Sequence, residues 1–113
     1  MADSSSSGSM ALLIRIMAAA RDPAETESLL AEIWAPSELR DAAQRVEVAA
    51  LLLEGNTYEM IAQQTGASTA TISRVRRSLE HGAGMVERAL RRVGRGDAGS
   101  YHRHWVSGSD MFD

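Results

Sequence analysis

Between Gly55 and Gly82 the chain has room for two short helices and one tight turn, and the residues at each joint allow little else. Thr57 stands where an N-cap is needed, and Tyr58 to Thr65 is long enough for two helical turns. Gly66 can take the positive φ that ends a helix, and Ser68 or Thr69 can cap the next one. That next helix, expected from Thr69 to Leu79, brings Ile72, Val75 and Leu79 onto one face. Taking Tyr58 as the first place of a roughly 20-residue helix-turn-helix puts Ile61 fourth, Ala62 fifth, Gly66 ninth, Ile72 fifteenth and Val75 eighteenth. Ala62 must be small where the helices cross, and Gly66 supplies the turn. Ile61, Ile72 and Val75 form the shared interior. One or two such matches arise by chance; the whole set, with capping hydroxyls and a turn glycine, does not.

The rest of the chain reads as helices too. Apolar residues recur at helical spacing from Met10, and Asp22-Pro23 interrupts them near Arg21. Asp22 is placed as N-cap, Pro23 as first helical residue and Glu25 for a capping box, which starts a second helix running through Trp34 with Leu29, Leu30 and Ile33 as its buried stripe. Ala35-Pro36 repeats the start signal for the longest helix, whose stripe Leu39, Ala42, Val46, Ala49 and Leu53 ends at Gly55. His81-Gly82 precedes a last helix with Val86, Leu90 and Val93 as its apolar line. The expected fold is all-α with about six helices. The domain spans residues 10–93, with a Ser-rich disordered tail over 1–9 and a flexible, Gly/Ser-rich tail over 94–113. The aromatics of that last tail, Tyr101, Trp105 and Phe112, leave open a second role against a partner subunit.

The net charge of −3 is the wrong sign for a nucleic-acid binder until it is divided along the chain. Residues 1–67 carry 4 Arg against 10 acidic residues, a net of −6, whereas residues 68–95 carry 7 Arg against Glu80 and Glu87, a net of +5. Residues 96–113 add Arg103 against three Asp, a net of −2. The second helix of the motif therefore lies in a basic segment enclosed by acidic flanks, as phosphate binding requires. With no cysteine in the chain, disulfides, thiolate catalysis and cysteine-based zinc sites are excluded. His102 and His104 lack a third ligand and a fixed frame, so no metal is expected. No nucleophile sits on a recognisable elbow or glycine-rich cradle, so no enzyme is expected either. Nor does any apolar run reach the ~18 residues that span a bilayer, and no signal-peptide pattern opens the chain; the expected location is the cytoplasm, without membrane contact.

Advancing about 100° per residue, Ile72, Val75 and Leu79 mark the inward side of the helix, and Ala70, Ser73, Arg74 and Arg77 fall opposite. In this motif the N-terminal part of the second helix meets base edges in the major groove of double-stranded DNA. The candidates for reading bases are Ser68, Thr69, Ala70, Thr71, Ser73 and Arg74: hydroxyls donate or accept, Ala70 suits a thymine methyl, and Arg74 suits guanine. Arg76 and Arg77, further along, are expected to reach phosphates. The competing reading is a helical protein-interaction module that keeps the fold without specific DNA binding, and the acidic N-terminal half is its support.

From Trp34 to Leu79 the stretches APSELRDAAQRV, LLLEG and GASTATISRVRRSL resemble the Trp repressor superfamily, and within it the Trp repressor-related (YerC/YecD-like) branch. The resemblance implies an intertwined all-helical homodimer whose two motifs meet successive major grooves of a pseudo-palindromic operator, that is, a transcriptional regulator, read as a repressor. It also implies an effector pocket. Arg45, Arg74 and Ser78 match residues that hold tryptophan in the tryptophan-sensing repressor. Val75, however, replaces a glycine where the indole ring enters, Trp34 replaces a leucine beside the pocket, and the first motif helix is one residue shorter. Side chains thus fill the ligand's space, tryptophan is not expected as corepressor, no cofactor is expected, and Arg45 is expected to pair with a nearby carboxylate.

Overall fold

The computed structural model describes residues 4–96, and among them six α-helices form without a strand: α1 (Ser4–Ala19), α2 (Pro23–Ile33), α3 (Pro36–Leu53), α4 (Tyr58–Thr65), α5 (Thr69–His81) and α6 (Met85–Arg92). The all-α class and the helix order are those the sequence signals. The described residues fall into two compact units, one up to Arg40 and one from Asp41.

In the first unit the helix starts carry the expected chemistry with one shift. Asp22 Oδ1 accepts the Glu25 N–H at 2.9 Å, but Glu25 Oε1 reaches past the N-cap to the N–H of Arg21 at 2.9 Å. The capping box is displaced by one residue. At the next start, Glu38 Oε1 accepts the Ala35 N–H at 2.8 Å. Helix α1 begins at Ser4, inside the stretch expected to be irregular through Ser9; serine costs only about half a kcal/mol in a helix interior, so a Ser-rich run does not forbid one. The expected stripe of α2 is not buried in the single chain: Leu29 and Leu30 are half-buried and Ile33 is exposed.

The core lies in the second unit. Val48, Ile61 and Ile72 are fully buried, with Ala49, Ala50, Leu51, Ala67, Val75 and Leu90 around them. Four consecutive buried residues, Val48 to Leu51, show that the end of α3 is covered on more than the expected stripe, of which Ala49 is buried and Leu53 packs against the core. Val46, placed in that stripe, is 52% exposed. On α6 only Leu90 of the expected line is buried; Val86 and Val93 are exposed.

The chain beyond α6 departs most from expectation. It was expected to be flexible from Gly94, yet Gly94 takes φ +83°, the Arg95 N–H returns to the Leu90 carbonyl at 2.8 Å, and Arg95 docks on α3. Its Nε donates to Glu54 Oε2 at 2.8 Å and its Nη2 to Glu47 Oε2 at 3.1 Å, while the Gly96 N–H adds a bond to Glu54 Oε2 at 2.8 Å. Glu54 first, then Glu47, push the guanidinium pKa of Arg95 well above its ordinary value. Gly96 is buried at φ +79°, and a Cβ there would lie 3.3 Å from both Leu53 Cδ1 and Leu90 Cβ. Residues 1–3 and 97–113, including Tyr101, His102, His104, Trp105 and Phe112, lie outside the described residues.

Candidate nucleic-acid interface

Every joint of α4, the turn and α5 is hydrogen-bonded. Thr57 Oγ1 accepts the Met60 N–H at 3.2 Å and caps α4. At its other end Gly66 adopts φ +76°, ψ +6°, and its N–H returns to the Ala62 carbonyl at 2.8 Å. Thr65 Oγ1 donates to the Ile61 carbonyl at 2.7 Å and accepts the Ala67 N–H at 3.1 Å, while Gln44 Nε2 of α3 donates to the Thr65 carbonyl at 3.1 Å. The turn is thereby held from both sides. Ser68 Oγ caps α5 by accepting the Thr71 N–H at 3.1 Å, and its proton goes to Thr71 Oγ1 at 3.1 Å. Beneath the turn Ile61, Ala67, Ile72 and Val75 pack as the shared interior.

The candidate reading residues divide by helix face. Thr69, Ala70, Arg74 and Arg77 are exposed and Ser73 is half-exposed, with Ala70, Ser73, Arg74 and Arg77 on the side away from Ile72 and Val75. Neither Arg74 nor Arg77 is ion-paired among the described residues. Ser68 is engaged as the cap, and Thr71 receives its proton on the flank of α5 that also carries Ser78. Arg76 lies on the opposite flank, where its Nε donates to Glu80 Oε2 at 3.1 Å.

On the Ser78 flank a groove of about 430 Å³ opens between α3, α5 and the start of α6. Arg45, Ser78 and Glu87 contribute its polar side chains, and Ala49, Val75, Leu79 and Val86 much of its apolar wall. Arg74 is not part of this lining, so the expected trio is not assembled as a whole. Among the described residues Arg45 makes no ion pair, contrary to expectation; it faces the groove. Val75 is buried in the groove wall, but the space beside it is open rather than filled. Trp34 is the C-cap of α2 in the first unit, and the groove is made from the second unit alone.

The geometry has a family. A model of the family described as "Trp repressor protein" matches residues 9–94, most of the chain and all of the motif. The chain belongs to the Trp repressor family. It is 58% identical over 57 residues to an uncharacterized Bacillus subtilis protein, YerC, a match covering 50% of this chain and 55% of that relative. The chain thus spans about half the length of that curated relative. A solved structure of a TrpR-like protein from Eubacterium eligens superposes with a TM-score of 0.74 at 38% identity, over 77% of this chain and 90% of that one. As a member of the Trp repressor family the chain has a regulatory DNA-binding fold built on the helix-turn-helix.

Sequence reasoning missed two residues around the motif. Tyr58 enters the sequence reading only as the motif's first place, although Arg76 and then Ser73 hold its phenol pKa below the ordinary value. Gln44, the tether of the turn, lies 21 residues from Thr65 and gives no local signal.

Proposed function

We propose that the chain is a sequence-specific transcriptional regulator, a repressor, that binds a pseudo-palindromic operator in double-stranded DNA as a homodimer. One observation carries this reading: the outward face of a capped, tethered α5 presents Arg74 and Arg77, exposed and without ion pairs among the described residues, beside Ala70 and Ser73. Such a face needs no rearrangement to enter a major groove, with Thr69, Ala70, Ser73 and Arg74 toward base edges and Arg77 toward phosphates. The dimer is supported by apolar side chains that the single chain leaves uncovered, among them Val46, Met85 and Val86 around the groove. No helix among the described residues is long and apolar enough to cross a membrane, which agrees with action on DNA in the cytoplasm.

An effector that uses Arg45 and Ser78 would enter the open groove. Tryptophan is not that effector in this reading, because the isopropyl group of Val75 stands in the wall where the family's repressor has a glycine. Genome-wide selection of fragments bound by the purified chain, with and without tryptophan, tests both statements. The expected outcome is enrichment of a twofold-symmetric site that does not depend on tryptophan. Enrichment of nothing above random fragments would favour the protein-interaction module, and a tryptophan-dependent gain would overturn the role given to Val75.

A further inference from the structure

The turn between α4 and α5 sets where the reading residues begin, yet little packs on it. Of residues 66–70 only Ala67 is buried, and a Cβ at Gly66 would meet nothing within 4 Å. Polar bonds hold what packing leaves open. The Thr65 carbonyl ends α4 and is one of the C=O groups that a helix leaves without an internal partner. Gln44 Nε2 of α3 donates to it at 3.1 Å, and because a carbonyl only accepts, the amide nitrogen is the atom that faces it. Among the described residues this is the one hydrogen bond that joins α3 to the turn. From Thr65 the constraint continues outward: its Oγ1 accepts the Ala67 N–H at 3.1 Å, and the next residue, Ser68, caps α5 by accepting the Thr71 N–H at 3.1 Å. These links run from the core helix α3 to the first turn of the recognition helix. The apolar contacts of Ile61 and Ile72 beneath them are non-directional, whereas an amide bound to one carbonyl has a set distance and angle.

We propose that Gln44 is a positioning residue for DNA reading: its amide, carried on α3, fixes where the turn enters α5 and so where Thr69, Ala70, Ser73 and Arg74 meet base edges. This rests on the DNA-binding reading above. Gln44 lies outside the outward face of α5 and is not part of the groove lining, so it acts on aim and not by contact. Without the bond the turn samples more than one position, and specific binding has to restore the one that fits. Binding carried by phosphate contacts alone tolerates small displacements that a base-edge contact does not.

The test uses the full chain, the operator obtained by fragment selection, and a random duplex of equal length. Gln44→Met keeps the length and helix propensity of the side chain and changes no charge, but it cannot donate. It should weaken operator binding about three- to tenfold, the loss of one hydrogen bond, while binding to the random duplex and the slope of log K against log salt stay at wild-type values. Gln44→Lys restores a donor of similar reach; its added charge acts on both duplexes alike, so the operator-to-random ratio should return to within about twofold of wild type. If Gln44→Met discriminates like wild type or weakens both duplexes equally, or if Gln44→Lys is no better than Gln44→Met, the positioning role is overturned. A second readout needs no DNA. In Gln44→Met the Ala67 N–H should exchange with solvent about three- to tenfold faster, while the Ala50 N–H, in the buried end of α3, keeps its wild-type rate. Equal acceleration at both amides would mean that Gln44 only stabilises the fold, and would contradict the proposal. Failure of the wild-type chain to bind any operator would remove the regulator reading, and the positioning role with it, even if Ala67 alone exchanges faster.

Discussion

Arg95 is the residue on which the second unit closes. Glu54 is buried at 7% exposure at the end of α3, and its carboxylate is satisfied by the Arg95 guanidinium and the Gly96 N–H together. A buried carboxylate that loses its cation costs far more than an exposed pair is worth, though the partial exposure of Arg95 lessens the penalty. Arg95→Ala should therefore destabilise the fold by about 1–2 kcal/mol, read from the urea midpoint, and Arg95→Ala with Glu54→Gln should lose less than the two changes summed. Equal losses in the double and the sum would mean that the pair is not coupled. None of this was legible in the sequence, where Val93-Gly94-Arg95-Gly96 has the composition of a loop. Its partners are 41 and 48 residues away, and a bond of that span leaves no periodic trace. Arg76 shows the converse. Its pairing with Glu80 has readable i,i+4 spacing.

At the scale of elements the helix-turn-helix was readable because its constraints are local. Caps act within three residues and a left-handed glycine within one, so Thr57, Gly66 and Ser68 could be assigned before any packing was known. A Cβ at Gly66 would meet nothing within 4 Å, so the cost of a side chain there is backbone strain alone. The expected order of stability is Gly66, then Gly66→Asn, then Gly66→Ala, then Gly66→Val, with about 1–2 kcal/mol separating Gly66 from Gly66→Ala; thermal unfolding checks it. An Ala variant as stable as the Asn variant would place the constraint elsewhere. Helices outside the motif were located well and their buried faces poorly. Helical spacing finds an amphipathic stripe but cannot tell which part of it a single chain covers, and Val46, Val86 and Ile33 remain exposed for that reason.

At the scale of the whole molecule, one arrangement gives the exposed apolar side chains a cover and gives the motif a twin. A homodimer predicts that the chain sediments at twice its own mass, and that Val46→Asp, at a position 52% exposed in the single chain, yields a monomer with unchanged helical content. A wild-type monomer at micromolar concentration would remove the twofold operator. The charge along the chain makes the remaining claim quantitative, since a net of +5 over residues 68–95 sits inside a protein of net −3. The most direct measurement is operator affinity against salt for the wild-type chain and for Arg77→Ala. With two copies of Arg77 at phosphates in each dimer, the variant should flatten the slope of log K against log salt by about two. A slope identical to that of wild type would contradict the assignment of the outward face of α5 to DNA.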